Sequence, residues 1–248
     1  MPFTFSHPAI VLPFVKASKH WFSTTALVIG SMAPDFEYFI RMRVKSIYSH
    51  TFFGLLWFDL PLTLILAFIF HLIVRNILIS NLPNFLRSRL SVFTNFDWNA
   101  YFKSHYIVVI ISALIGAFSH IAWDSFTHED GFAVERIAYL SSVIQIGDKE
   151  LAVFKILQHG SSLIGALVIA WTIYRLPKHE SKVITSPTAK YWAIVVAICL
   201  AVFRANLKMG LDPTMFGHLI VVIISGTLIG LILTSAYFNV PRSNRKAS

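Results

Sequence analysis

The residues best able to do chemistry are histidines and carboxylates set at the edges of apolar runs. The sharpest pattern is His120-Ile-Ala-Trp-Asp124. A spacing of i, i+4 puts both side chains on one face of a helix, one turn apart. Imidazole and carboxylate are the ligands a borderline divalent metal takes when thiolate is absent. The same spacing also suits a simple local hydrogen-bonded pair. A second pattern is Ala33-Pro34-Asp35-Phe36-Glu37. Proline presets a first helical turn and places Asp35 at the positive end of a helix dipole, as in an ordinary acidic helix start. Glu37 reads as its solvated neighbour or as a base. Ser6-His7-Pro8, Ser49-His50-Thr51 and Gln158-His159-Gly160 each put one histidine at the beginning of a helical or apolar run. Taken singly, each is an interfacial histidine; taken together, they suggest a shared purpose.

Other chemistries find less support. The only cysteine, Cys199, lies inside an apolar run, which excludes a disulfide framework or a cysteine metal site. No G-x-S-x-G, P-loop or H-E-x-x-H pattern occurs, and Gly160-Ser161-Ser162 does not point to a serine nucleophile. His128, four residues after Asp124, either extends the same helical face or ends the helix in solvent. His20 and His218 read as structural. Asp59, inside an apolar run, is costly in lipid and is a functional candidate for that reason, supporting the site or pairing with a neighbouring helix. His71 and Arg75, at the far end of that run, are placed to snorkel or to meet phosphates.

The elements that must position these groups are membrane helices. Of 248 residues, 56% are hydrophobic and only 13% charged. A soluble surface needs far more polar cover than that, so lipid is the expected surroundings. The fold class expected is all-α, a polytopic membrane bundle of about five spanning helices behind an N-terminal amphiphilic helical segment. The apolar runs are Phe52–Val74, Ile107–Trp123, Ile156–Tyr174, Tyr191–Phe203 and Met215–Phe238. The fourth is short and spans only if Arg204 and Lys208 snorkel. In the N-terminal segment, Thr4 or Ser6 could cap a short helix using Pro8, and Thr24–Ala33 is too short to span. The 75–106 loop, with Pro83, Arg87, Arg89 and Trp98, reads as a surface connector, and 124–155 is the most polar stretch. Gly116, Gly165, Gly226 and Gly230 suit close helix packing.

The net charge of +9 sits in short loops, where it meets anionic headgroups; membrane lipids, not nucleic acid, are the expected partners. No cleavable signal peptide is expected, since prolines interrupt the N-terminus. The shorter basic loops tilt the topology toward N-terminus out and C-terminus in. In a five-span arrangement His7, His50, His120, His128 and His159, with most of the carboxylates, share the N-terminal face.

Several of these stretches resemble one family. They are Met1-Pro-Phe-Thr-Phe-Ser-His7-Pro8, Gly30-Ser-Met-Ala-Pro34-Asp35-Phe-Glu37, Ser49-His50-Thr51, Phe58-Asp59-Leu60-Pro61, Ser119-His120-Ile-Ala-Trp123-Asp124-Ser-Phe-Thr127-His128 and Leu157-Gln158-His159-Gly160-Ser161-Ser162. Together they are similar to the bacterial membrane proteins of domain-of-unknown-function family 4184. The resemblance covers residues 1–176, a motif-bearing portion with three spans; residues 177–248 hold two further spans and a basic tail without a motif. The order of the motifs is also distantly similar to YdjM-type membrane-bound metal-dependent hydrolases and to the zinc phospholipase C and P1 nuclease group. That likeness implies His7, Asp35, His50, His120, Asp124 and His159 as metal ligands, with Asp124 as a bridge between two ions. The group's third metal uses a glutamate four residues after its histidine. Leu163 stands there, so one or two ions, zinc by expectation, are implied. The expected function is a metal-dependent hydrolase in the bacterial cytoplasmic membrane, cleaving a phosphodiester or lipid-linked substrate at the membrane surface. Asp35 or Glu37 would be its general base. The rival is a non-catalytic transporter or scaffold whose polar cluster binds metal or stabilises the fold.

Overall fold

Apolar side chains dominate the long helices, as they must where the solvent is hydrocarbon and every backbone polar group needs an internal partner. In the computed structural model, which describes residues 3–17, 21–179 and 188–239, the chain is mostly helical. A short apolar helix, α1 (Pro8–Ala17), is followed by α2 (Thr24–Gly30) and α3 (Phe36–Arg41). Five helices are long and apolar enough to cross a membrane: α4 (Leu55–Asn81), α6 (Trp98–Asp124), α9 (Val153–Tyr174), α10 (Thr188–Lys208) and α11 (Phe216–Asn239). Between them lie α5 (Asn84–Leu90), α7 (Phe132–Arg136), α8 (Ala138–Ser141) and one hairpin, β1 (Val143–Ile146) with β2 (Lys149–Ala152). His20, the basic tail and half of the 175–190 loop lie outside the described residues.

The fourth apolar run is helical over 21 residues, which removes the length problem. The hairpin departs from a purely helical expectation. It occupies the polar 124–155 stretch, pairs Ile146 with Lys149, and turns at Gly147, whose φ of 61° favours glycine. The chain forms two compact units. One holds Met1–Asp35, Ile47–Leu64 and Phe102–Tyr174; the other holds Phe36–Ser46, Ile65–Tyr101 and Arg175–Ser248.

In the first unit, α2 buries one face: Ala26 and Leu27 are fully enclosed. Ser23 caps it by accepting from the Ala26 amide. Its packing against α6 is backbone-close. A Cβ on Gly30 would lie 2.5 Å from the Ala113 carbonyl oxygen, and one on Gly116 would lie 2.5 Å from that of Leu27. Thr4 and Ser6, expected as helix caps, instead direct their hydroxyl protons across the unit to Asp35 and to the Ser162 carbonyl.

In the second unit, the expected surface connector folds inward at both Arg89 and Trp98, which are buried. Trp98 stacks on His71 with ring centroids 4.7 Å apart. Arg75 neither snorkels nor faces water: it donates to the carbonyls of Phe96 and Thr94 at 2.8 and 3.2 Å. It also meets His71 Nδ1 at 2.7 Å. Those backbone acceptors repay the cost of holding a guanidinium away from water.

Candidate metal centre

Three local structures in the first unit deliver the polar groups. The last turn of α6 supplies His120 and Asp124, one above the other. A single 3₁₀ turn, Ala33–Asp35, started by Pro34, supplies Asp35 just before α3 begins. The loop ahead of α4 supplies His50. There Thr51 donates to the Tyr48 carbonyl and accepts from the Gly54 amide, closing the turn that starts the helix. His7 comes from the 3₁₀ turn Thr4–Ser6, immediately before Pro8.

One ligand atom each from Asp35, His50, His120 and Asp124 lies within 4.8 Å of the others. His120 Nε2 is 3.3 Å from Asp124 Oδ2 and 3.5 Å from Asp35 Oδ1. His50 Nε2 is 3.6 Å from each of those two carboxylates. His7 Nε2 lies 3.6 Å from the other Asp124 oxygen, Oδ1, and its ring stacks on His120 with centroids 3.8 Å apart.

These distances discriminate between hydrogen bonding and metal ligation. A charge-assisted N–H···O bond closes to about 2.7–2.9 Å. Donor atoms sharing one tetrahedral ion, each about 2.0–2.2 Å from it, sit about 3.3–3.6 Å apart. At 3.3 Å the His120–Asp124 pair is longer than a charge-assisted hydrogen bond and matches the spacing of two donors on one ion. Both ring nitrogens of His7, with Asp35 Oδ1, His120 Nε2 and Asp124 Oδ1, are buried without a hydrogen-bond partner. Leaving such atoms unsatisfied costs about 1–3 kcal/mol each, which a metal ion would relieve.

The ring orientations fit as well. His120 Nδ1 sits 2.8 Å from the Ser31 carbonyl oxygen and must carry the proton there, leaving the Nε2 lone pair toward the cluster. His50 Nδ1 is 3.0 Å from Ser49 Oγ, a hydroxyl that can accept or donate there and holds the ring with Nε2 toward the carboxylates. Burial, then the neighbouring His120, lowers the pKa of His7 to about 3, so its imidazole is neutral. Burial works to raise Asp35, but the imidazoles of His120 and His50 outweigh it and hold the carboxyl below its usual range. For His50, burial pulls the pKa down and the carboxylates of Asp124 and Asp35 more than reverse it, giving a net rise. The open side of the cluster lies at His50 and His128, whose side chains are 22% and 23% exposed.

His128 completes the rim, its Nδ1 3.6 Å from Asp124 Oδ2 and 3.2 Å from the Asp124 carbonyl oxygen. His159 is exposed on α9 and is not among the four residues whose ligand atoms converge. The motif around it has a different use. Ser162 accepts from the Phe3 amide and Ser161 accepts from Trp123 Nε1. Glu37 belongs to the second unit, where Arg41 Nε donates to it at 2.7 Å and the Ser46 hydroxyl at 3.1 Å. Asp59 is fully buried in the first turns of α4. Sequence reading missed the partners of the ligands, Thr4, Ser31 and Ser49. No local signal links Thr4 to a carboxylate 31 residues away or the Ser31 carbonyl to an imidazole 89 residues away.

Five apolar spans and a buried histidine–aspartate cluster of metal-ligand character define an integral membrane protein with a candidate metal centre. The chain belongs to the family described as domain of unknown function DUF4184, which it matches over residues 1–236, the last two spans included. No curated protein and no solved structure matches it.

Proposed function

We propose that this chain is a metal-dependent hydrolase of the bacterial cytoplasmic membrane, holding one or two divalent ions, zinc foremost, and acting on a phosphodiester or lipid-like substrate. The observation that carries this reading is the convergence of Asp35 Oδ1, His50 Nε2, His120 Nε2 and Asp124 Oδ2 at ion-sharing distances. Asp35, His50, His120 and Asp124 would hold the first ion. His7 with Asp124 Oδ1 would be the start of a second position. A divalent ion there supplies Lewis acidity toward an ester or phosphoryl oxygen and acidifies a water.

The rest falls to the chain. Ser31 holds the His120 ring, and the burial of His7 keeps that imidazole neutral and able to ligate. Asp35 faces the cluster with the oxygen that would ligate, and both oxygens of Glu37 are already engaged. Phe52 and Phe53, two and three residues past His50, are 82% and 72% exposed. Tyr48 and Trp57, on either side of His50 and 40% and 46% exposed, are the aromatic types that suit the headgroup layer, where a lipid substrate would present its polar end. The order of the ligands is similar to that of membrane-bound metal-dependent hydrolases, which supports the same reading.

A non-catalytic reading draws on the site's position: it ties the N-terminal turn, the 3₁₀ turn, the His50 loop and α6 together, as a structural ion would. Elemental mass spectrometry on detergent-purified protein, wild type beside His120→Ala and Asp124→Ala, tests the metal centre. One or two zinc or manganese per chain in the wild type and none in the variants is expected. A wild type that stays metal-free after reconstitution sinks the hydrolase. Cleavage of phospholipid phosphodiesters in mixed micelles by the loaded protein then separates catalysis from a structural ion.

A further inference from the structure

Asp35 is held by a residue that no motif marks. Thr4 Oγ1 lies 2.5 Å from Asp35 Oδ2, in a contact where both residues are almost fully buried. An ionised carboxylate only accepts, so the Thr4 hydroxyl is the donor. With Oδ2 engaged, Oδ1 is the oxygen turned toward His120 and His50, and it has no hydrogen bond of its own.

Thr4 is itself placed by α9. The Phe3 amide donates to Ser162 Oγ at 2.9 Å, and the Ser6 hydroxyl donates to the Ser162 carbonyl at 2.8 Å. Gly165 gives the turn room, since a Cβ there would lie 2.8 Å from the Ser6 carbonyl oxygen. The turn between these ties is Thr4–Ser6, with His7 directly after it. The short N-terminal segment therefore brings both a donor nitrogen, on His7, and the hydroxyl that orients a carboxylate.

We propose that Thr4 is a positioning residue of the metal centre: its hydroxyl bond to Asp35 Oδ2 commits that carboxylate to ligation through Oδ1 alone. The inference rests on the metal reading above. A metal-bound carboxylate commonly has its other oxygen held by a hydrogen-bond donor, and losing such a partner typically weakens metal affinity about 10–100-fold.

The competing explanation is that Thr4 merely ties the N-terminal turn in place. The test is titration of detergent-purified, chelator-stripped full-length protein with Co²⁺, following affinity and the visible absorption band, which reports coordination number. Thr4→Val should bind Co²⁺ about 10–100-fold more weakly, with an altered band, and Thr4→Ser should restore both. If Thr4→Val fails to fold, Thr4→Ala, smaller and equally without a donor, takes its place in the comparison. A wild-type affinity and band in Thr4→Val overturns the proposal. So does a Thr4→Ser that fails to rescue. A wild type that binds no Co²⁺ overturns the metal centre itself, and the role of Thr4 falls with it, which separates the two failures.

Discussion

Gly116 is the residue on which α2 packing and ring orientation at the metal centre meet. A Cβ added there would lie 2.5 Å from the Leu27 carbonyl oxygen, 2.8 Å from the Ser31 amide nitrogen and 3.0 Å from the Gly30 carbonyl carbon. All three are backbone atoms of the α2 end, so no side chain can swing aside. Ordinary contact begins at 3.4 Å, so in Gly116→Ala the α2 end must retreat by roughly 0.9 Å in a close-packed interior. His120 sits one turn further along α6 and reaches the Ser31 carbonyl at 2.8 Å. A retreat of that size takes the bond past useful length. Overpacking costs about 1–3 kcal/mol. The buried bond that is lost adds about 1–3 kcal/mol. The loosened imidazole should weaken metal binding about 10–100-fold. Thermal unfolding with and without metal, beside Co²⁺ titration, reads both effects. Gly116→Ala should unfold earlier and bind more weakly. Gly165→Ala, which crowds Ser6 instead, should spare His120. Reduced stability with unchanged Co²⁺ affinity in Gly116→Ala would refute the coupling between helix packing and imidazole orientation.

Other outcomes follow from the same structure. Chelation should lower the unfolding temperature, and with free metal at about a thousand times Kd the stabilisation should be about 4 kcal/mol; an unchanged unfolding temperature would argue against buried ligands. In the metal-free protein His7 has its folded pKa lowered from 6.5 to about 3. Its stabilisation is therefore present above pH 6.5 and is lost as pH falls toward 3, against an opposing gain at His50, whose pKa is raised. His7→Phe should flatten the acid limb of an apo stability–pH profile, and an unaltered slope would contradict the burial argument. Arg75→Met removes a guanidinium from the carbonyls of Thr94 and Phe96 and should cost on the order of 3 kcal/mol while leaving metal content unchanged. Loss of metal in that variant would show that the centre depends on more than its own unit.

The membrane class was legible in local sequence alone. Hydrocarbon admits only long runs of apolar residues whose backbone is satisfied within the helix, and both properties are local. That is why the five runs were legible and why even the short fourth became a helix of 21 residues once its flanks were included. The same locality made His120 and Asp124 a pair, since a helix fixes the geometry of i and i+4 whatever surrounds it. Tertiary structure decided the rest. Asp35 and His50 reach that pair from other parts of the chain, and His159 stays exposed although its motif looks as specific as theirs. Glu37, two residues from Asp35, goes to Arg41 and Ser46, and Trp98 leaves the surface to stack on His71. Apart from the local Glu37–Arg41 pair, none of these outcomes follows from a residue's own neighbours. Each depends on which backbones can approach closely enough, as Gly30 and Gly116 permit, and on which buried polar atoms then find a partner.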